Sequence, residues 1–229
     1  MSLFAIADLH LSLGTDKPMD IFSGWNDYVS RLTENWNSII TDDDTVVIAG
    51  DISWAMKLTD TKKDFEYINS LSGKKILLKG NHDYWWDTKT KMNKYLGDNN
   101  FNTINILFNN SFECGEFTVC GTRGWLIEST SDEDRLVLNR ELGRLKLSLE
   151  DGKKYNKELI AFLHYPPVYG SLESTEIIDL LNEYNVKKCY YGHIHGTNMI
   201  KGCINGEYKG IDFRLISCDG VGFMPQLVR

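Results

Sequence analysis

The chain has only five histidines, and each lies close to the end of a short apolar segment. His10 and His82 lie in ADLH and GNHD, and His164 directly follows ELIAFL. His193 and His195 are one residue apart in YYGHIHG. Imidazole is a transition-metal ligand and a proton-transfer group near neutral pH. One such histidine would usually be structural, but five of five favour a shared metal-binding or catalytic site.

Acidic and amide side chains accompany these histidines at the same segment ends. In extended backbone, residues two apart point to the same side. We therefore expect Asp8 and His10 to face one cavity, and the two histidines of GHIH to do the same. The accompanying side chains are Asp8, Asp51, Asn81 and Asp83.

The apolar segments alternate with helical patterns, which predicts an α/β layered fold with parallel strands. Ligands of such folds collect beyond the carboxyl ends of the strands, where the polar clusters lie. No stretch has the composition of a linker, so we expect one domain over residues 1–229. The predicted strands are 2–8, 44–51, 74–83, 158–167, 186–196 and 210–220, and the predicted helices are 25–40, 60–71, 88–96, 130–152 and 174–184. We read residues 104–127 as a β-meander, and Thr130 with Glu133 as a capping box that begins the fourth helix.

Five motifs in order resemble the calcineurin-like metallophosphoesterase superfamily, whose pattern is D-x-H, G-D-x-x-D, G-N-H-D/E, H and G-H-x-H. The motifs here are DLH (8–10), GDISW (50–54), GNHD (80–83), His164 and GHIH (192–195). Each motif alone is weak, but five in order are specific. The resemblance implies mixed β-sheets packed as a central sandwich flanked by helices. Trp54 stands where the family has aspartate, which affects local support or substrate contact and leaves the bridging GD intact.

The resemblance also implies two metal ions and phosphoester hydrolysis. Imidazole with carboxylate ligands suits manganese, iron or zinc, divalent or trivalent, better than magnesium or calcium. Such a dinuclear centre lowers the pKa of bound water toward ~7, so that a metal-bound hydroxide attacks phosphorus. Carried over by position, one ion takes Asp8, His10, Asp51 and His195, and the other takes Asp51, Asn81, His164 and His193, with Asp51 as the bridge.

His82 lies outside that ligand set and is the candidate general acid, or charge stabiliser, for the leaving group. We predict that Asp83 orients His82 and raises its pKa. The alternative is that His82 only supports the neighbouring ligands. Candidate substrate contacts are less specific. Arg123, in GTRGW, has the geometry to bind a second phosphate or a carboxylate, or forms an ordinary surface ion pair.

The aromatic cluster of Tyr84, Trp85 and Trp86 follows GNHD directly, and we predict that it lines the mouth of the site, with Tyr84 and Trp85 as substrate contacts. The alternative is that these aromatic side chains pack beneath a loop. The loop at residues 12–24 follows His10 and is a candidate lid.

The composition limits the partners. A net charge of −7 disfavours long nucleic acids, which require a basic surface, but allows a small phosphorylated substrate. Five scattered cysteines without a CxxC motif indicate reduced thiols in a cytoplasmic protein. We expect neither a signal peptide nor a membrane span.

The sequence thus favours a metal-dependent phosphoesterase that acts on a small phosphomonoester or phosphodiester. Two alternatives stay open. One is a catalytically idle metal-binding scaffold on the same fold, and the other is a nuclease that acts on short oligonucleotides. The complete ligand set and His82 favour the enzyme, because a scaffold does not require all of them.

Overall fold

The computed structural model describes residues 1–126 and 131–229 and contains two mixed β-sheets. The first sheet has the strand order β13-β1-β2-β3-β4, in which β1 to β4 are parallel and β13 is antiparallel. Its strands are β1 (Leu3–Ile6), β2 (Thr45–Ala49), β3 (Lys74–Leu78), β4 (Ile104–Ile106) and β13 (Gln226–Leu227).

The second sheet has the order β11-β12-β10-β7-β6-β5. Its four central strands are parallel and its two edge strands are antiparallel. The strands are β5 (Phe112–Cys114), β6 (Phe117–Thr122), β7 (Glu158–Leu163), β10 (Lys188–Tyr191), β11 (Gly206–Tyr208) and β12 (Ile211–Leu215). A separate short hairpin joins β8 (Val168–Tyr169) to β9 (Leu172–Glu173).

The two sheets pack face to face through one apolar cluster. Ala5, Val47 and Ile76 of the first sheet lie in this cluster with Ile160 and Phe162 of the second. The outer faces are also apolar, because α1 to α3 cover the first sheet and α4 and α5 cover the second. Strands buried on both sides account for the continuous apolar runs in the sequence. The predicted sandwich flanked by helices is confirmed.

Five of the described α-helices agree with the predicted positions to within a few residues, and a sixth, which is short, was not predicted. They are α1 (Tyr28–Ile39), α2 (Lys62–Ser70), α3 (Lys89–Asp98), α4 (Asp132–Gly152), α5 (Thr175–Glu183) and α6 (Thr197–Ile200). The Ser131 Oγ caps α4 by accepting a hydrogen bond from the Asp134 N–H at 3.1 Å. The predicted cap, Thr130, lies outside the described residues. Within residues 1–126 and 131–229, no helix combines the length and apolar composition that crossing a bilayer requires.

The prediction of a meander over residues 104–127 is wrong where the structure describes that segment. β4 extends the first sheet parallel to β3, whereas β5 and β6 form a hairpin in the second sheet. Alternating apolar residues identify a strand but do not specify its sheet, and the chain crosses between the sheets after Ile106. Residue 127 lies outside the described residues.

Candidate metal centre

Every predicted metal ligand lies in a loop that follows the carboxyl end of a parallel strand. Asp8, Asp51 and Asn81 follow β1, β2 and β3 of the first sheet. His164 and the GHIH histidines follow β7 and β10 of the second. The strands end two to five residues before the predicted boundaries, so the polar residues lie in loops rather than in the sheets. Both sheets therefore supply side chains to one region.

The backbone at these residues is not extended, so the extended geometry that we assumed is wrong. Asp8 and His10 nevertheless face one donor group, as expected, whereas His193 and His195 belong to two different groups. Asp8, His10, Asp51 and His193 have φ values of 62°, 45°, 50° and 74°. Hydrogen bonds between loops hold this conformation, with the Asp8 N–H donating to Gly50 O and the His10 N–H to Asp51 O, both at 2.9 Å. Left-handed conformations at non-glycine residues are strained, and they concentrate at functional sites.

Two glycines of the motifs leave space for carboxylates. A Cβ at Gly80 would lie 2.1 Å from Asp51 Oδ1, and one at Gly192 would lie 2.4 Å from Asp8 Oδ2. Both distances are shorter than any tolerated contact. The glycines of GNHD and GHIH therefore permit the close approach of one loop to the carboxylate of another.

One donor group comprises Asp8, His10 and His195, whose ligand atoms lie within 4.8 Å of one another. The Nε2 atoms of His10 and His195 are 3.3 Å apart. His195 Nε2 is 3.3 Å from Asp8 Oδ1, and His10 Nε2 is 3.7 Å from Asp51 Oδ2. Nitrogen and oxygen ligands thus converge on one point.

The second donor group comprises Asp51, His164 and His193, again within 4.8 Å. The Asn81 Oδ1 joins this group, at 2.6 Å from His164 Nε2 and 2.9 Å from His193 Nδ1. His164 Nε2 lies 3.5 Å from Asp51 Oδ1. The two oxygens of Asp51 therefore face different groups, which is the position that a bridging ligand requires.

The protonation of His164 argues for a cation in this group. Its Nδ1 lies 3.1 Å from Ala49 O, and a carbonyl oxygen only accepts, so Nδ1 carries the proton. Burial lowers the pKa of His164, which leaves Nε2 unprotonated. That lone pair faces the oxygens of Asn81 and Asp51. Acceptor atoms that face one another fit a metal ion between them.

Electrostatics favour the same conclusion. Asp8 and Asp51 are buried carboxylates, 0% and 2% exposed. Burial, together with the charge of Asp8, raises the pKa of Asp51 to about 8. Burial lowers the pKa of His10 and of His193 to about 3. The neutral imidazoles of His10 and His193, beside adjacent buried carboxylates, form donors that fit transition-metal cations.

Asp219 belongs to the site but was missed in the sequence. Its Oδ1 accepts a hydrogen bond from His195 Nδ1 at 2.9 Å, and its Oδ2 accepts from the Gly196 N–H at 2.7 Å. Burial lowers the pKa of His195, but the attraction of Asp8 and Asp219 outweighs burial and raises it to about 10. The available signal was the segment IDFRLISCDG, an apolar strand that ends at an aspartate like the other ligand segments.

Asp219→Ala is expected to weaken metal binding by roughly 10–100-fold, because the residue that orients a metal-binding histidine would be lost. Calorimetric titration with manganese or zinc measures the affinity. Asp212→Ala is the matched control, because Asp212 lies at the other end of the same strand and pairs with exposed Arg214. Equal affinities in the two variants would show that Asp219 does not orient His195.

His82 lies beside the two groups, with its ring centroid 5.7 Å from that of His10. Its backbone N–H donates to Asp51 Oδ1 at 2.8 Å. Its Nδ1 is buried and has no hydrogen-bond partner in the part of the chain that the structure describes. Burial, followed by the charge of His164, lowers its pKa.

The Asp83 carboxylate makes no hydrogen bond to the His82 side chain, so the orienting role that we predicted for it is wrong. Its Oδ2 accepts from the Gly80 N–H at 2.7 Å, and its Oδ1 accepts from the Ile52 N–H at 2.9 Å and from Trp85 Nε1 at 3.0 Å. The side chain is fully buried. Asp83 therefore joins the loop of GNHD to the loop of GDIS, and the predicted rise in the pKa of His82 does not occur.

Trp54, which departs from the family pattern, contacts a predicted ligand directly. Its ring stacks on His10 with centroids 4.8 Å apart and lies 4.5 Å from the ring of His82. Lys17 Nζ lies 3.7 Å above the Trp54 ring. Trp54 thus supports His10 and connects the loop at residues 12–24 to the site.

The three predicted substrate contacts have different surroundings. Trp85 is 2% exposed and packs edge-on against Phe65, so the prediction that it contacts substrate is wrong. Tyr84 is 55% exposed, with its ring 6.1 Å from that of His82. Arg123 is half-buried near Glu141, and its role in substrate binding stays a prediction.

The sequence and the fold together define the class of this protein. The family model for calcineurin-like phosphoesterases matches residues 1–197. The chain belongs to this family of hydrolases, and the resemblance that we drew from the motifs is confirmed.

Several solved structures have the same fold. A phosphopantetheinyl hydrolase from Mycobacterium tuberculosis aligns with a TM-score of 0.59 and 14% identity, over 99% of this chain and 95% of its own. A protein of unknown function from Aquifex aeolicus aligns with a TM-score of 0.56 and 16% identity, over the same shares. A Thermus thermophilus protein has a TM-score of 0.55 and 13% identity, over 84% of this chain and 81% of its own. The comparison with curated proteins gives no match.

Proposed function

We propose that the protein hydrolyses a small phosphomonoester or phosphodiester at a dinuclear metal centre, with residues 1–229 acting as one catalytic domain. The observation that carries this proposal is the position of Asp51, whose two oxygens face different donor groups. Each sheet supplies ligands to both groups, so neither sheet alone would form the site.

The ligand set in the proposal follows the two donor groups. When bound, the ions supply Lewis acidity, which stabilises the phosphoryl oxygens and lowers the pKa of water. The imidazole and carboxylate donors suit manganese, iron or zinc. One ion would be held by Asp8, His10, Asp51 and His195, and the other by Asp51, Asn81, His164 and His193.

His82 is the proposed catalytic residue of the protein itself. The His82 side chain is partly exposed and its ring lies 5.7 Å from that of His10, a proposed ligand, so the imidazole is placed to reach the leaving oxygen. It would donate a proton or a hydrogen bond to that oxygen. Exposed Tyr84 borders the approach to His82 and is proposed to contact the leaving group.

Charge and cysteine chemistry support the proposed context. The net charge of −7 favours a small phosphorylated substrate over a long nucleic acid. All five cysteines are free, and four are buried. Free thiols are the state expected in the reducing cytoplasm, where we propose that the protein acts.

The test is hydrolysis of p-nitrophenyl phosphate and bis-p-nitrophenyl phosphate with manganese, iron and zinc supplied separately. We expect at least one metal to bind at two ions per chain and to support hydrolysis that chelation abolishes. Full occupancy without hydrolysis of either ester would favour the idle scaffold. Hydrolysis confined to short oligonucleotides would favour the nuclease.

A further inference from the structure

A second polar cavity lies next to the candidate metal centre and plays no part in the proposed ligand set. It has a volume of about 40 Å³. Two of its lining residues connect it to the metal centre. Lys79 directly precedes the GNHD loop, and the backbone oxygen of Arg123 accepts a hydrogen bond from the His164 N–H at 3.0 Å. The lining of the cavity includes the charged side chains Lys79, Arg123, Glu141 and Arg144 and the aromatic side chains Trp86 and Phe108.

The cavity has more positive than negative charge. Glu141 is its one carboxylate among the described residues and is 1% exposed. Its Oε1 lies 2.6 Å from Arg144 Nη1 and 3.6 Å from Arg123 Nη2. Lys79 has no ion pair within the described ranges. Three cations against one carboxylate leave a formal excess of two positive charges.

Two buried N–H donors at the cavity have no hydrogen-bond partner in residues 1–126 and 131–229. They are Arg123 Nε and Trp86 Nε1. Buried donors are almost always paired, so an unpaired pair beside excess positive charge indicates a missing acceptor. An anion with several oxygens would supply acceptors for both.

The cavity also lies close to the metal centre. The Arg123 guanidinium is 6.0 Å from the centroid of the Tyr165 ring. That ring is in turn 4.2 Å from the ring of His193, a proposed ligand. One aromatic ring therefore separates the cationic cavity from the second donor group.

We propose that this cavity binds a second anionic group of the substrate, a carboxylate or a phosphate, while the scissile phosphoryl group lies at the metal centre. This inference rests on the proposed function. Guanidinium groups bind both oxyanions in a bidentate manner. The small volume fits a terminal group rather than a sugar or a base. The substrate class is therefore a compact phosphoester with a second negative charge.

The test compares straight-chain alkyl phosphates of increasing length with matched esters that end in a carboxylate or a second phosphate. At one chain length, the wild type should prefer an anionic ester to its alkyl partner by roughly tenfold or more in kcat/KM. The better terminal group identifies the source of the charge. A wild type that shows no such preference at any length would overturn the proposal.

The variant Arg144→Gln should reduce this preference by roughly tenfold, because it removes one cation from the cavity. The control is Arg140→Gln, an exposed arginine on the same helix, which should keep the preference. Lys79→Gln provides a second variant, because Arg144 also pairs with buried Glu141. If both cavity variants kept the wild-type preference, the assignment would be wrong.

A binding measurement tests this inference independently of the proposed hydrolytic function. Calorimetry of manganese-loaded protein with the corresponding phosphonates requires no turnover. Tighter binding of the anionic phosphonate, lost in Arg144→Gln, supports the cavity even if no ester is hydrolysed. Equal binding of anionic and alkyl phosphonates overturns it even if hydrolysis is observed.

Discussion

Asp51→Asn is expected to leave the protein with at most one metal ion and to remove most of the hydrolytic activity. Asp51 is the one described side chain whose two oxygens face both donor groups. The amide would keep one neutral oxygen donor but lose the negative charge that two cations share. Elemental analysis of the purified variant counts the ions directly.

Asp44→Asn is the matched control for this experiment. Asp44 is also a buried aspartate, and it precedes β2 at the strand end opposite to Asp51. Its carboxylate accepts hydrogen bonds from the Ser2 and Thr41 N–H groups. Asp44→Asn should therefore lose stability and keep both ions. Two ions retained in Asp51→Asn would contradict the bridging role.

Asp51→Asn should also stabilise the metal-free protein at neutral and alkaline pH. Burial and the charge of Asp8 raise the pKa of Asp51 in the folded state to about 8 from an ordinary value of 3.8. A raised acid pKa means that the folded state binds the proton more tightly, so stability falls as pH rises from the unfolded pKa to about 8. Asparagine does not ionise and avoids this loss. Thermal unfolding in chelator, compared at acidic and alkaline pH, measures it.

The positions of the main strands along the chain, and of the polar residues that follow them, could be predicted from the sequence because both are local features. Apolar runs such as TVVIA define strands, and residues such as Asp51 mark the point where the chain leaves the sheet. The carboxyl ends of parallel strands then lie at one edge. The two donor groups in the structure follow from that rule combined with the motif order.

What the sequence could not predict was contact between loops. Asp83 is adjacent to His82 in the chain, yet its oxygens bind backbone groups of GDIS and GNHD. Trp85 follows GNHD closely in the sequence, which favoured a position at the mouth of the site, but it packs in the core against Phe65. Asp219 lies 24 residues beyond His195 in the sequence, and only the structure shows that the two side chains form a hydrogen bond. Each case depends on a partner from another loop or helix, which local patterns do not specify.

His82→Ala is expected to lower the turnover of an alkyl phosphate by about 10²–10⁴ while both metal ions stay bound. The metal site should survive because the contact from residue 82 to Asp51 is made by its backbone N–H at 2.8 Å, which alanine retains. The imidazole itself has a buried Nδ1 without a partner in the described ranges, and its pKa is lowered by burial. Its removal therefore takes away the proposed catalytic group without breaking a side-chain hydrogen bond found among the described residues.

The dependence on the leaving group separates the two roles of His82. A proton donor matters most for an alkoxide and little for p-nitrophenolate, which leaves without protonation. Loss confined to the alkyl ester indicates a general acid, whereas an equal loss with both esters indicates stabilisation of charge on the phosphoryl group. His82→Gln refines the result, because its amide donates a hydrogen bond but no proton. Full turnover of the alkyl ester by His82→Ala, with two ions bound, would exclude His82 from the reaction and leave catalysis to the metal ligands alone.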